Sequence, residues 1–521
     1  MGIDNESCYV EAGKVRNMKN FINVILFMVI VGIIGFFYRE NIIGDYLQYG
    51  SILFTLSVIF IGFIIFMENR QPTQTLAWLI VLGAFPVVGF FFYLLFGRNF
   101  RKEKIFKKKF FLDQQKYKDL MGERNKELLR QADEAQEYRQ VFTLAEQIGN
   151  TPISLTTETK VLTNGRETFN YIKEALLQAK HHIHMEYYIV RDDVLGREIK
   201  DILIDKAKSG VKIRFLYDAV GSWTLSKSYI KELRKWGIEA VAFGPVKLPF
   251  LNNKFNFRNH RKIIVVDGVV GFVGGLNIGD EYLGKDRNFG FWRDTHLMLK
   301  GQGVRSLQLI FMQDWYYMTN YNFLTEEYLA TIQPVNEERY GGVQIIAGGP
   351  DNEHSTIKNI FFSMIVSAKK SVWIASPYFI PDEDIFSALK IAALSGIDVR
   401  LLVPSNPDKR IVFHASRSYY PDLLEAGVKV YEYREGFMHS KIVIVDGELA
   451  SIGTSNMDMR SFHLNFEVNA FLYKTESVRT LVNDYLHDLL VSNELHIEIF
   501  KDRHFGMRMM ESLFRLLSPM L

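Results

Sequence analysis

The stretch HRKIIVVDGVVGFVGGLN, residues 260–277, decides the reading of this chain, because it returns at 439–456 as HSKIVIVDGELASIGTSN. His260, Lys262, Asp267, Gly274 and Asn277 stand at the same offsets as His439, Lys441, Asp446, Gly453 and Asn456, 179 residues later (439 − 260). Ile263 to Val266 is short, apolar and β-branched, so it reads as a buried strand. Alternation places His260 and Lys262 on one face and Asp267, seven positions after His260, on the other. Asp267-Gly268 is a hairpin-turn pair, followed by a second strand from Val269 to Val273. A two-residue turn pairs Val266 with Val269, so that facing positions sum to 535, Gly275 falls opposite His260, and Asn277 lies near Arg258. In the second copy Asp446-Gly447 turns and Thr454 falls opposite His439.

This set has a chemistry. Imidazole is a nucleophile, or an acid and base, near neutral pH. Lysine and asparagine hold non-bridging phosphoryl oxygens without a metal. One such strand is a buried strand with a histidine; two with matched spacing argue for a site. Asp267 and Asp446 fit a structural place, at the turn and in a salt bridge.

The pattern H-x-K-x4-D followed by G-x-x-N resembles the signature of the phospholipase D superfamily. The GGLN and GTSN endings look like its cardiolipin synthase branch. The resemblance implies two copies meeting face to face at one active site, with one histidine taking the phosphoryl group and the other moving protons. It assigns the nucleophile to His260 and the proton carrier to His439. It groups Lys262, Asp267, Lys441 and Asp446 with the catalytic motif, and it sets Asn277, Asn456, Gly275 and Thr454 at the phosphate. Two acids follow the motifs: Asp294, 34 residues after His260, and Glu467, 28 after His439. In the family a carboxylate in this region hydrogen-bonds the second ring nitrogen of the catalytic histidine, which fixes its tautomer and raises its basicity. The implied reaction joins two phosphatidylglycerol molecules into cardiolipin and glycerol, with no cofactor and no metal. Hydrolysis to phosphatidic acid, or a phosphatidylethanolamine donor, are the alternatives that the same motif residues allow.

The chain has 521 residues, 48% hydrophobic, with a net charge of +3 that averages over unequal regions. Cys8 is the only cysteine, which excludes an intrachain disulfide. Three uncharged, mostly apolar runs, 21–38, 51–67 and 76–96, are each near the length of a bilayer crossing, so 21–97 reads as a membrane anchor behind a tail of residues 1–20. Pro86 and Gly89 mark the third run as a kinked or re-entrant element. Basic clusters flank the set on both sides. Lys14, Arg16 and Lys19 precede it, and Arg98, Arg101, Lys102, Lys104 and Lys107 to Lys109 follow, so the catalytic part is expected on the cytoplasmic side of a bacterial plasma membrane. The segment 68–99 also resembles the anchor of cardiolipin synthases, which soluble members of the superfamily lack.

Residues 98–150 read as a charged helical connector. From 153 onward helix and strand alternate: 166–179, 196–209, 355–367 and 383–395 as helices, 182–190, 211–217, 371–379 and 397–403 as strands. AKHHIHMEYYIV and AKKSVWIASPYFI mark corresponding places, as do KAKSGVKIRFLYD and IAALSGIDVRLLVP, so the repeat covers whole domains. The expectation is an α/β fold: N-terminal transmembrane helices, then two phospholipase D-like domains, 151–335 and 340–521, related by pseudo-two-fold symmetry, with the seam at 330–345. His181, His182 and His184 lie together, but only His182 and His184 share a face and no cysteine joins them, so no metal is inferred. The loop 245–260 mixes Lys247, Lys254 and Arg258 with Phe250, Phe255 and Phe257. This suits anionic headgroups and acyl chains, and beside a membrane anchor it favours lipid over nucleic acid. In the tail, Phe505, Met509, Leu513, Leu516 and Met520 recur at helical spacing, for packing on the domain or lying on the membrane.

Overall fold

The computed structural model describes residues 46–67, 72–85, 89–90, 93, 138–245, 256–321, 323, 328, 341–352, 354–406 and 408–518. The first apolar run, most of the connector and most of the seam lie outside them, as do Lys247, Phe250, Lys254 and Phe255. The chain forms two compact units, residues 1–98 and 99–521.

In the first unit, helices Tyr46–Met67 and Pro72–Ala84 pack through Ile65, Leu82 and Tyr93. The second helix ends at Ala84, just ahead of Phe85-Pro86, as a proline requires of the residues before it. Side chains are described only from Thr55 on, and among the described residues no helix is long and apolar enough to cross a membrane.

The second unit holds two sheets of one topology. The first comprises β1 (Glu158–Thr163), β2 (His182–Tyr187), β3 (Lys212–Asp218), β4 (Glu239–Phe243), β5 (Ile263–Val266), β6 (Val270–Gly274) and β8 (Thr295–Lys300), with β7 (Phe291–Arg293) outside it. Its order is β1-β8-β6-β5-β2-β3-β4. The second comprises β9 (Gly342–Gly348), β10 (Ser371–Ala375), β12 (Asp398–Pro404), β13 (Lys429–Tyr433), β15 (Ile442–Val445), β16 (Leu449–Gly453), β18 (Glu467–Tyr473) and β19 (Ser492–Leu495). Short strands β11 (Phe379–Ile380), β14 (Gly436–Met438) and β17 (Met457–Asp458) stand apart from it. Read from the far edge, its order β9-β18-β16-β15-β10-β12-β13 repeats the first sheet, and β19 extends the edge. In each half three parallel strands alternate with helices, and the motif hairpin joins them antiparallel.

The hairpin strands are apolar on both faces because both faces are covered. Ile263 and Val265 enter a core shared with Ile442 and Ile444 of the other half, so the sheets pack on one another. Ile264 and Val266 face the helices of their own half, as do Val443 and Val445 of theirs. This corrects the expected register. Val266 pairs with Val270 and Ile263 with Val273, a sum of 536, and Val445 pairs with Leu449. Asp267 and Gly268 do make a tight turn, with φ of 53° and 68°, closed by the Val269 amide donating to the Val266 carbonyl at 2.9 Å. Val269 is then left over, as is Glu448 in the second copy. Facing residues must share a side of the sheet, and only this register joins Ile263 with Val273 between the sheets and Ile264 with Phe272 beneath the helices.

Candidate active site

The two halves dock their histidines on each other. The His260 amide donates to the carbonyl of Phe466 at 2.9 Å, and the His439 amide to that of Arg293 at 2.7 Å. The next residues are Glu467 and Asp294. Glu467 accepts from His260 Nδ1 at 2.9 Å, and Asp294 from His439 Nδ1 at 2.6 Å. Each acid therefore orients the histidine of the opposite half. The sequence had set each after its own histidine, and the crossed arrangement corrects that pairing. Lys441 Nζ also stands 3.0 Å from His439 Nδ1, but the shorter carboxylate bond assigns the proton to Nδ1 there as at His260, which leaves each Nε2 with a free lone pair.

The carboxylates sit on supports that match their lengths. The shorter Asp294 lies against Gly275, where an added Cβ would come within 2.1 Å of its Oδ1. Thr454, at the matching place, helps hold the longer Glu467 ionised through its hydroxyl. This replaces the expected phosphate role of Gly275 and Thr454. Their amides donate to strand carbonyls, Thr295 at 3.1 Å and Val468 at 3.0 Å, because the one-residue change of register turns them into the sheet.

Lys262 and Lys441 each bond the carbonyl of the histidine two residues before, and both are buried. Burial pushes the Lys262 ammonium down to about 7, with Glu467 opposing and Lys441 adding to the fall. Lys441 is pushed down to about 8, chiefly by burial against the pull of Asp294. Burial lowers His260 to about 4 against Glu467, and His439 to about 3, with Lys441 adding to the fall. Burial alone would raise both acids, but His260 and Lys262 hold Glu467 below its ordinary range, and Lys441 and His439 hold Asp294 below its own. Each lysine feels both carboxylates and one another, so the two motifs share one electrostatic site. With neutral imidazoles, two cations balance two anions. An arriving phosphodiester adds a negative charge, which favours a proton on one imidazole.

Asn277 accepts from the Ile189 amide at 3.0 Å and donates to Tyr282 at 3.3 Å; Asn456 donates to Asp458 at 3.0 Å, and its buried Oδ1 lacks a partner among the described residues. Asp267 and Asp446 are not in the site. They follow β5 and β15, whereas the histidines precede them, and a strand of that length spans roughly 13 Å. Asp267 accepts from the amides of Lys180, His181 and His182, each at 2.8 Å. Asp446 accepts from those of Lys369, Lys370 and Ser371 and from the Tyr138 hydroxyl. Asp267 and Asp446 thus stand apart from the histidines and hold the turns through backbone amides.

The His182 and His184 rings lie tilted against each other at 4.6 Å, and His184 is taken up by Gln308 and Arg214. Among the described residues no cluster of ligands suits a metal.

Sequence reasoning missed three neighbours. Tyr188 stands edge-on to His260, and Trp292 tilts over His439, each at 4.9 Å. Trp292 lies two residues before Asp294, and that proximity was the available signal. Arg261, between His260 and Lys262, donates to the Glu467 carbonyl at 3.0 Å and to that of Gly348 at 3.1 Å, and pairs with Asp314. A buried arginine at that place has no counterpart in Ser440, and nothing in the repeat pointed to it.

Comparisons with known proteins identify the family. A family profile described as cardiolipin synthase, PLD-like domain, matches residues 172–315 and 361–489. A second, phospholipase D-nuclease N-terminal, matches 55–98. A cardiolipin synthase of Alkalihalophilus pseudofirmus is 62% identical over 97% of this chain and 100% of its own length. One of Geobacillus sp. (strain WCH70) is 60% identical over the same shares. The crystal structure of phosphatidylserine synthase from Haemophilus influenzae, 13% identical, shares the fold at a TM-score of 0.55 over 73% of this chain and 100% of that one. The chain belongs to the cardiolipin synthase family, with the paired catalytic domains of the phospholipase D superfamily.

Proposed function

We propose that this phosphatidyltransferase joins two phosphatidylglycerol molecules through a phosphatidyl-histidine intermediate. The crossed His260–Glu467 and His439–Asp294 pairs carry the proposal, because they leave two neutral Nε2 atoms in one electrostatic site. His260 Nε2 attacks phosphorus. The first glycerol departs with a proton from His439, loaded there as the phosphodiester's charge enters. His439 then takes the proton of a second lipid's hydroxyl, which attacks the phosphorus and frees His260. Lys262 and Lys441 neutralise the non-bridging oxygens. Asn277 and Asn456 take part through amide hydrogens beyond those bonded within the protein. Two in-line displacements give net retention at phosphorus.

The site residues belong to the two domains 151–335 and 340–521. Residues 21–97 are read as an integral anchor of the bacterial plasma membrane, with the catalytic domains on the cytoplasmic side. In support, Ile59, Phe63, Phe66, Leu76 and Ile80 stand outward on the two described helices, where water would disfavour them. A lipid acceptor held in the membrane plane has a high effective concentration against water.

Purified protein incubated with phosphatidylglycerol, without added metal, tests the reaction. The expected products are cardiolipin and glycerol. Phosphatidic acid as the main lipid product would contradict it.

A further inference from the structure

The tail forms a helix, Phe505–Arg515, that rests on helix Arg410–Arg417. Its inner side is well held. Phe514 stacks on His414, Arg515 donates to the Ser418 carbonyl at 3.2 Å, Tyr419 meets Ser518 at 3.0 Å, and buried Glu511 pairs with Arg503. The outer side is apolar. Phe505, Met509, Leu513 and Leu516 fall within about 80° of one another on a helical wheel, and they are 75%, 58%, 58% and 77% exposed. Ile411, in the first turn of the supporting helix, is exposed as well.

Cations border this face. Lys409, Arg410, Lys501 and Arg508 are exposed, against Glu498 and Asp502, while Glu511 and Asp422 are taken up by Arg503 and Arg515. Flexible methionine and leucine rimmed by lysine and arginine suit the acyl boundary of an anionic leaflet. The chain connects this face to the second domain's site only through the residues ahead of the supporting helix. Lys409 leads into the supporting helix, and Asp408 before it bonds Tyr378 and lies within electrostatic reach of Lys441.

We propose that helix Phe505–Arg515 is a monotopic contact by which the catalytic unit rests on an anionic phospholipid surface. The choice of lipid as occupant rests on the function proposed above.

The full-length chain carrying Cys8→Ser and Leu513→Cys, labelled with an environment-sensitive dye and reconstituted into vesicles, tests this. Leu490→Cys, at a site 82% exposed on another helix, is the reference. In phosphatidylglycerol vesicles the dye at 513 is expected to shift to the blue and to be quenched by spin-labelled lipid, while the dye at 490 stays in water. Equal, water-like signals at both positions would overturn the proposal. In parallel, Met509→Ser with Leu513→Ser and Leu516→Ser should lower turnover of bilayer phosphatidylglycerol roughly tenfold and spare a short-chain lipid in micelles. An equal fall on both substrates would also count against docking. Failure of the parent chain to turn over either lipid would sink the functional reading instead, and the fluorescence would still decide the docking.

Discussion

At the scale of the residue, the crossed acids set what each substitution does. Asp294→Asn leaves His439 without its anion and weakens leaving-group protonation; Glu467→Gln does the same to the attack by His260. Each should lower kcat by 10²- to 10⁴-fold, read as product per unit of folded enzyme. The titrations give a pH profile. His260 must be neutral to attack, so kcat/KM falls as pH drops through about 4; Lys262 must be charged, so it falls again as pH rises through about 7. Lys262→Arg keeps its charge, and the alkaline limb should move up toward that of Lys441, about 8. An unmoved limb would remove Lys262 from the role. His260, Lys262, His439 and Lys441 were legible because their spacing repeats. The partners of Asp294 and Glu467 were not, because a contact between halves leaves no trace in local spacing.

At the scale of the element, the hairpins separate chemistry from support. Asp267→Ala and Asp446→Ala each strip amides of an ionic acceptor and should cost roughly 2 kcal/mol of stability, seen as earlier thermal unfolding. Turnover per folded molecule should hold, since both acids lie at the far end of their strands. Gly275→Ala should differ in lowering turnover per folded molecule, because its Cβ would strike Asp294 and disturb His439 in the other half. The overpacking should also cost about 1–3 kcal/mol of stability. The strands and the turn positions of Asp267 and Asp446 were readable from apolar runs and Asp-Gly pairs. The register was not, because apolar residues cover both faces of β5 and β15, and only the packed sheets select the pairing.

At the scale of the whole molecule, the repeat in the sequence becomes one fold built twice and closed on itself. Alternating helices and strands foretold both sheets, while the crossing of β14 onto β7 and of Asn259 onto Phe466 depends on the second copy being present. Function then belongs to the pair, since each half supplies the orienting acid for the other half's imidazole. The most direct measurement of this account is peptide mapping of the phosphatidyl-enzyme, trapped from labelled phosphatidylglycerol under alkaline quench. The account predicts label on His260, depleted by Glu467→Gln; label on His439, or on no histidine, would contradict it.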